Sequence, residues 1–238
     1  MLRAVVDDAR CVDGLRADRL RVDTPNGSQN TAPPDAHPGL LHLAMATIEF
    51  FYDYASPFSY LADTRMPEVL ERTGATLVYR PAILGVLIVE SKNTPPPSIP
   101  AKIAYYGQDT RRWAKRLNVP MATNPFFPVR SVTLMRAALI VQDLGSFKHF
   151  HRTMWEGMWI HGLNLGDNAV LIATLNSAGL DGQTIVDGTQ NDNVKARLKA
   201  NCDEALARGA FGLPTFFVGE EMFFGNDRVD FVEEAAAR

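Results

Sequence analysis

The sequence predicts an α/β fold in which two halves of one sheet are separated by a large all-helical insertion. Three observations lead there. An apolar run, Glu49-Phe-Phe-Tyr-Asp-Tyr54, leads into Ser56-Pro57, which reads as a buried strand followed by the start of a helix. Serine suits the N-cap because its oxygen accepts an amide that the helix cannot satisfy, and proline suits the first turn because its missing N–H is not needed there. Near the other end, Gly209-Ala-Phe-Gly-Leu-Pro-Thr-Phe-Phe-Val218 ends a helix at glycine and begins a strand, and Gly219-Glu-Glu-Met-Phe-Phe-Gly-Asn-Asp-Arg228 continues it as a hairpin leading to a last helix. Between these two stretches, apolar residues recur at the 3–4 spacing of helices.

Taken along the chain, residues 1–46 are expected to be a disordered extension. The stretch Thr24-Pro-Asn-Gly-Ser-Gln-Asn-Thr-Ala-Pro-Pro-Asp-Ala-His-Pro-Gly39 holds almost no apolar residues, so it cannot offset its ordering entropy by burial. Residues 47–54 form a strand, 56–73 a helix terminated by Gly74, and 76–80 a second strand, together a βαβ unit. Pro95-Pro-Pro97 marks a long loop. From Ser98 to Gly209 the pattern is helical throughout. Ile99, Ile103, Tyr106, Thr110, Trp113 and Leu117 make one stripe; Val132, Met135, Ala138, Leu139 and Gln142 a second; Phe147, Phe150, Met154, Trp155 and Met158 a third. Residues 168–178 and 193–208 supply two more helices. The expected division is 47–80 with 205–238 as the sheet domain and 81–204 as the helical insertion. These apolar faces are first of all core, and secondarily the walls of an apolar pocket.

Composition bounds the function. The chain has 238 residues, 46% hydrophobic and 21% charged, with a net charge of −3. A nucleic-acid-binding surface would need a basic excess, and the local run Arg111, Arg112, Lys115, Arg116 is accounted for by the negative end of a helix dipole. No apolar run reaches the roughly 18–20 residues of a membrane span. The start lacks the apolar core of a signal peptide, and five aspartates precede residue 24, unlike a mitochondrial presequence. A cytoplasmic protein is expected. The two cysteines, Cys11 and Cys202, provide no disulfide framework. No metal-ligand spacing, Walker motif or dinucleotide glycine motif is present, and His151 and His161 are expected to edge packed faces.

The order strand, Ser-Pro, helix, then Gly-x-Pro-Thr, strand, hairpin, helix is that of a thioredoxin-like fold. The chain resembles the 2-hydroxychromene-2-carboxylate isomerases, relatives of the kappa-class glutathione transferases and, more distantly, of DsbA. The resemblance is carried by Phe51-Tyr-Asp-Tyr-Ala-Ser-Pro-Phe-Ser-Tyr-Leu61, Pro100-Ala-Lys102, Arg112-Trp113-Ala114, Phe211-Gly-Leu-Pro-Thr-Phe-Phe217 and Gly225-Asn-Asp-Arg228. It runs from about residue 47 to the C-terminus, which makes Met45 a candidate natural start. Where DsbA carries Cys-x-x-Cys, this chain reads Ser56-Pro-Phe-Ser59. Thiol–disulfide exchange needs a thiolate on the protein, so any sulfur chemistry must use an imported thiol.

The resemblance implies glutathione as that thiol, an aromatic small-molecule substrate and a homodimer. A free thiol has a pKa of roughly 8.5. A hydrogen bond from the Ser56 hydroxyl and the positive end of the helix would favour its ionised form; simple helix capping is the alternative for Ser56. Leu213, before a cis Pro214, is implied to pair its backbone with the cysteinyl part of glutathione, in the manner of an added strand. Asn226 and Asp227 are implied to hold the γ-glutamyl end, with capping of the last helix as the alternative. Asn93 and Lys102 match positions that reach the glycyl end, Lys102 being equally well explained as a solvated helix lysine. One departure stands out. Isomerase relatives often carry a lysine shortly before the Asn93 position, whereas here apolar Ile88 or Val89 stands there, leaving Lys92 or Arg130 as substitute cations. A kappa-like transferase or peroxidase, or a non-catalytic thioredoxin-fold binding protein, are the other functions compatible with these residues.

Overall fold

A computed structural model describes residues 45–238; the expectations for residues 1–44 lie outside the described residues. Four strands form one mixed sheet in the order β2-β1-β3-β4, with β1 (Thr47–Tyr52), β2 (Thr76–Pro81), β3 (Thr215–Val218) and β4 (Glu221–Phe224). β1 and β2 are parallel, Phe50 lying opposite Tyr79. β3 runs antiparallel to β1, Phe50 opposite Phe216, and β4 closes a hairpin on β3. This is the thioredoxin-like sheet that the two outer sequence stretches predict.

β1 is buried on both faces, as a central strand covered by helices must be. Phe50 stacks on Phe216 with ring centres 4.6 Å apart, and Phe51 meets Phe217 edge-on at 5.6 Å. All four rings are at most 1% exposed, each contributing roughly 1.5–3 kcal/mol of burial. At the sheet's rim, the Arg208 guanidinium lies 3.7 Å from the Phe217 ring centre and donates to Glu49 at 2.6 Å.

The expected helix over 56–73 is two helices, α1 (Pro57–Asp63) and α2 (Met66–Thr73). Pro67 causes the break: it has no amide to donate and its ring would collide with the carbonyl four residues earlier. Gly74 ends α2 in the left-handed conformation at φ 69°, as the sequence predicts. A helix absent from the sequence expectation, α3 (Leu84–Glu90), follows β2, and the proline run carries a short 3-10 turn, Pro96–Ser98.

The helical block comprises α4 (Pro100–Leu117), α5 (Val132–Asp143), α6 (Phe147–Trp159), α7 (Asn168–Ser177), α8 (Gly182–Gly188) and α9 (Asp192–Ala207). It is not helical throughout. Asn118 closes α4 in the left-handed region at φ 52°, and residues 119–131, rich in proline, form an irregular connection. Buried Asn124 holds that connection, donating to the carbonyls of Met158 and Leu163 at 2.9 Å each and accepting from the Phe126 amide at 2.9 Å. The short helix α8 was also not anticipated. Its seven residues carry too little periodicity to separate from a loop.

His151 belongs to the core, at 6% exposure. Its ring lies 2.6 Å from the Tyr54 hydroxyl and 2.9 Å from Asp63. His161, expected against a packed face, is instead exposed. The chain ends in α10 (Val229–Ala236), whose N-cap is Arg228 and makes no side-chain capping bond. Asn226 and Asp227 therefore do not cap this helix, which removes the alternative to a binding role. Asn226–Arg228 form a separate 3-10 turn ahead of it.

Candidate active site

The C-terminal end of β1 delivers Ser56 to the start of α1. Ser56 takes the extended conformation of an N-cap, and its oxygen accepts the Ser59 amide at 3.1 Å. Its hydroxyl donates to the Leu213 carbonyl at 3.2 Å. The Leu213–Pro214 bond is cis, as is Phe127–Pro128. One hydroxyl thus joins the helix start to the proline loop across 157 residues of sequence. Capping and the proposed chemical role are not exclusive: the oxygen's lone pair serves the cap while its hydrogen points at the loop.

A cavity of about 390 Å³ opens at this junction, within the usual size range for small-molecule sites. Ser56, Asn93, Lys102, Leu213, Pro214, Asn226 and Asp227 all line it, so the seven residues expected to bind glutathione converge on one space. Their conditions differ. Asn226 is 4% exposed, and its side-chain nitrogen is buried with no hydrogen-bond partner. A buried donor left unmatched costs about 1–3 kcal/mol, which a ligand oxygen would relieve. Asp227 is half-exposed and takes a 2.7 Å bond from Arg228. Gly225, at φ 106°, holds a conformation that side chains rarely adopt, and an added carbon 2.5 Å from an Asp227 carboxylate oxygen would also push that carboxylate aside. The Gly225 amide donates to the Pro214 carbonyl at 3.0 Å, tying this turn to the proline loop.

Asn93 is already engaged. Its amide nitrogen donates to the Phe211 carbonyl at 3.1 Å and its oxygen accepts the Thr94 amide at 2.7 Å. Of the substitute cations, Lys92 is exposed and not among the cavity's lining residues, and Arg130 lines a separate depression with Arg136 and Asp167. Ile88 lines the cavity, while Val89 is 40% exposed outside it.

Asp53 was missed at the sequence level, where it looked like one polar residue in a core strand. It is 1% exposed and lines the cavity. Its carboxylate accepts the Ala55 and Leu84 amides and the Ser131 hydroxyl, each at 2.9 Å, while its carbonyl accepts the Ser56 amide at 2.9 Å. Burial pushes its pKa up, partly opposed by those three donors. Asp53 thereby pins the Ser56 loop to the starts of α3 and α5. Asp53→Ala is expected to cost about 3 kcal/mol or more, since it strands a buried amide, a partly buried one and a buried hydroxyl; a denaturant titration measures it. The one signal available was an acid inside an aromatic run, a position that an unpaired carboxylate does not occupy. Cys202 is buried, its thiol pushed up to about 12 by desolvation, and takes no part in the site.

A strand that delivers a hydroxyl to a helix N-terminus, facing a cis-proline loop of the same sheet, defines a thioredoxin-fold protein with serines where a redox cysteine pair would stand. The chain belongs to the DSBA-like thioredoxin domain family, which residues 47–237 match. It is 30% identical over 189 residues to a 2-hydroxychromene-2-carboxylate isomerase of Sphingobium xenophagum, spanning 79% of this chain and 96% of that protein. It is 26% identical over 201 residues to glutathione S-transferase kappa 1 of Caenorhabditis elegans, spanning 79% of this chain and 89% of that one. A solved 2-hydroxychromene-2-carboxylate isomerase shares the fold with a TM-score of 0.71 at 24% identity, over 79% of this chain and 93% of the other. These relatives are isomerases and glutathione transferases, which supports an enzymatic role here. Among the described residues no helix is long and apolar enough to cross a membrane, and no group of metal-ligating side chains is assembled.

Proposed function

We propose that this protein is a glutathione-dependent isomerase of a conjugated aromatic compound, 2-hydroxychromene-2-carboxylate or a relative. The observation that carries this reading is the Ser56 hydroxyl, held at the N-terminus of α1 and aimed at the Leu213 carbonyl on the wall of one cavity. Glutathione bound there supplies a sulfur nucleophile that adds to a conjugated double bond and leaves again.

The protein's own groups have three tasks. Ser56 turns its hydroxyl from Leu213 to the sulfur, favouring the charged form; a hydrogen bond to a charged group is worth about 1.5–3 kcal/mol. That same rotation frees the Leu213 carbonyl to accept an amide of an extended peptide, so sulfur and backbone are recognised together. Asn226 offers its unmatched side-chain donor to a carboxylate, Asp227 a carboxylate to an ammonium, and Lys102 a cation to the far carboxylate. Asn93 serves chiefly by holding the Phe211 loop. The apolar wall keeps water from the reacting carbons and orients the aromatic substrate.

The test is calorimetric titration with glutathione, followed by turnover of 2-hydroxychromene-2-carboxylate and of neutral aromatic enones with and without it. Binding, and isomerisation strictly dependent on glutathione, is the expected result. Stable conjugates in place of isomers would favour a kappa-like transferase, a reading that the missing substrate-side lysine also supports. Absence of binding would leave a thioredoxin-fold binding protein. The same reading carries a cytoplasmic homodimer, which light scattering and fractionation would check.

A further inference from the structure

The aromatic part of the cavity has a chemistry of its own. Phe58, Tyr106, Trp113 and Phe127 wall it. Phe58 meets Tyr106 edge-on at 5.0 Å, and Tyr106 stacks on Phe127 at 6.1 Å. Between Tyr106 and Trp113, on the same face of α4, stands Asp109, half-buried and lining the cavity. Among the described residues Asp109 has no ion-pair or side-chain hydrogen-bond partner. Lys102 is the one cation among the described lining residues, and the glutathione reading already uses it.

A carboxylate set into an aromatic wall accepts a hydrogen bond from a ligand donor, whereas a second carboxylate brought beside it meets like charge in a poorly screened space. We propose that this part of the site takes an uncharged aromatic compound carrying a hydrogen-bond donor, such as a phenolic hydroxyl, which Asp109 accepts, and that it disfavours a carboxylated aromatic of the same shape. The proposal rests on the glutathione reading through Lys102. It narrows the substrate toward neutral relatives of the chromene acid and makes Asp109 the specificity-determining residue.

Two phenylbutenones sharing one alkene, and differing only in a para hydroxyl or a para carboxylate, test it below the pH at which the phenol ionises. Both kcat/KM with glutathione and direct binding to the protein, read by tryptophan fluorescence, are measured. A preference of about tenfold or more for the hydroxyl compound is expected, falling to within about threefold in Asp109→Asn, which keeps the size and removes the charge. The proposal is overturned if the carboxylated compound binds equally well or better, or if Asp109→Asn leaves the preference intact. Failure of glutathione itself to bind in calorimetry would sink the glutathione reading separately, because direct binding of the two compounds still reports the preference.

Discussion

Ser56→Ala should leave glutathione docked while raising the pKa of its bound thiol by about one to two units. In the proposed mechanism the hydroxyl acts on the charged sulfur specifically, so losing a bond worth about 1–3 kcal/mol shifts the protonation equilibrium at about 1.36 kcal/mol per unit. The sign follows directly: the group that favoured the anion is gone, so the anion forms at higher pH. Turnover at neutral pH should fall by about tenfold or more and recover partly as the pH rises. Thiolate absorbance titrated in both proteins measures the shift. Superimposed titrations with unchanged turnover would reduce Ser56 to a cap. A separate loss of about 1 kcal/mol of stability is expected, because the Ser59 amide loses its acceptor. That loss does not depend on pH, so the two roles are separable in one variant.

Asn226→Ala should weaken glutathione binding by about ten- to a hundredfold and leave the fold as stable as before, or slightly more so. The two effects have opposite signs because the side-chain nitrogen has no partner in the folded protein. Removing it relieves a buried unmatched donor, at the cost of a side chain's packing. Only a bound carboxylate would make the group useful. Melting curves and calorimetry on the same preparation settle the matter. A large drop in stability with unchanged affinity would show that Asn226 is structural and would move the γ-glutamyl site elsewhere. The sequence leaves capping of the last helix as the alternative for Asn226; with that helix beginning at Val229, capping no longer competes.

The parts of the site that were legible in the sequence are those in which a short motif dictates its own geometry. Ser56-Pro57 specifies a helix start whatever surrounds it, and Gly-x-Pro-Thr entering an aromatic run specifies a strand after a turn. With Ser56-Pro-Phe-Ser59 in place of Cys-x-x-Cys, the helix start has no thiol pair for dithiol–disulfide exchange. Pro67 marks the limit of periodicity as a signal: the apolar spacing continues across 56–73, but the proline splits the segment into two helices.

By itself, then, the sequence determined the fold class, the absence of a redox cysteine pair at the helix start, and seven of the residues that line the cavity beside Ser56. Tertiary structure alone decided what each of them does there. Asp53 became the anchor of the Ser56 loop because Leu84 and Ser131, 31 and 78 residues away, present donors to it. Asn93 was committed to Phe211 across 118 residues, and Asn226 was left without a partner. Asp109 turned from a polar residue on a helix into an acid among aromatic rings. The physical reason is common to all four. A side chain's periodicity states which face it occupies, but its hydrogen-bond partners and its charge environment come from segments that meet it only after the sheet has closed.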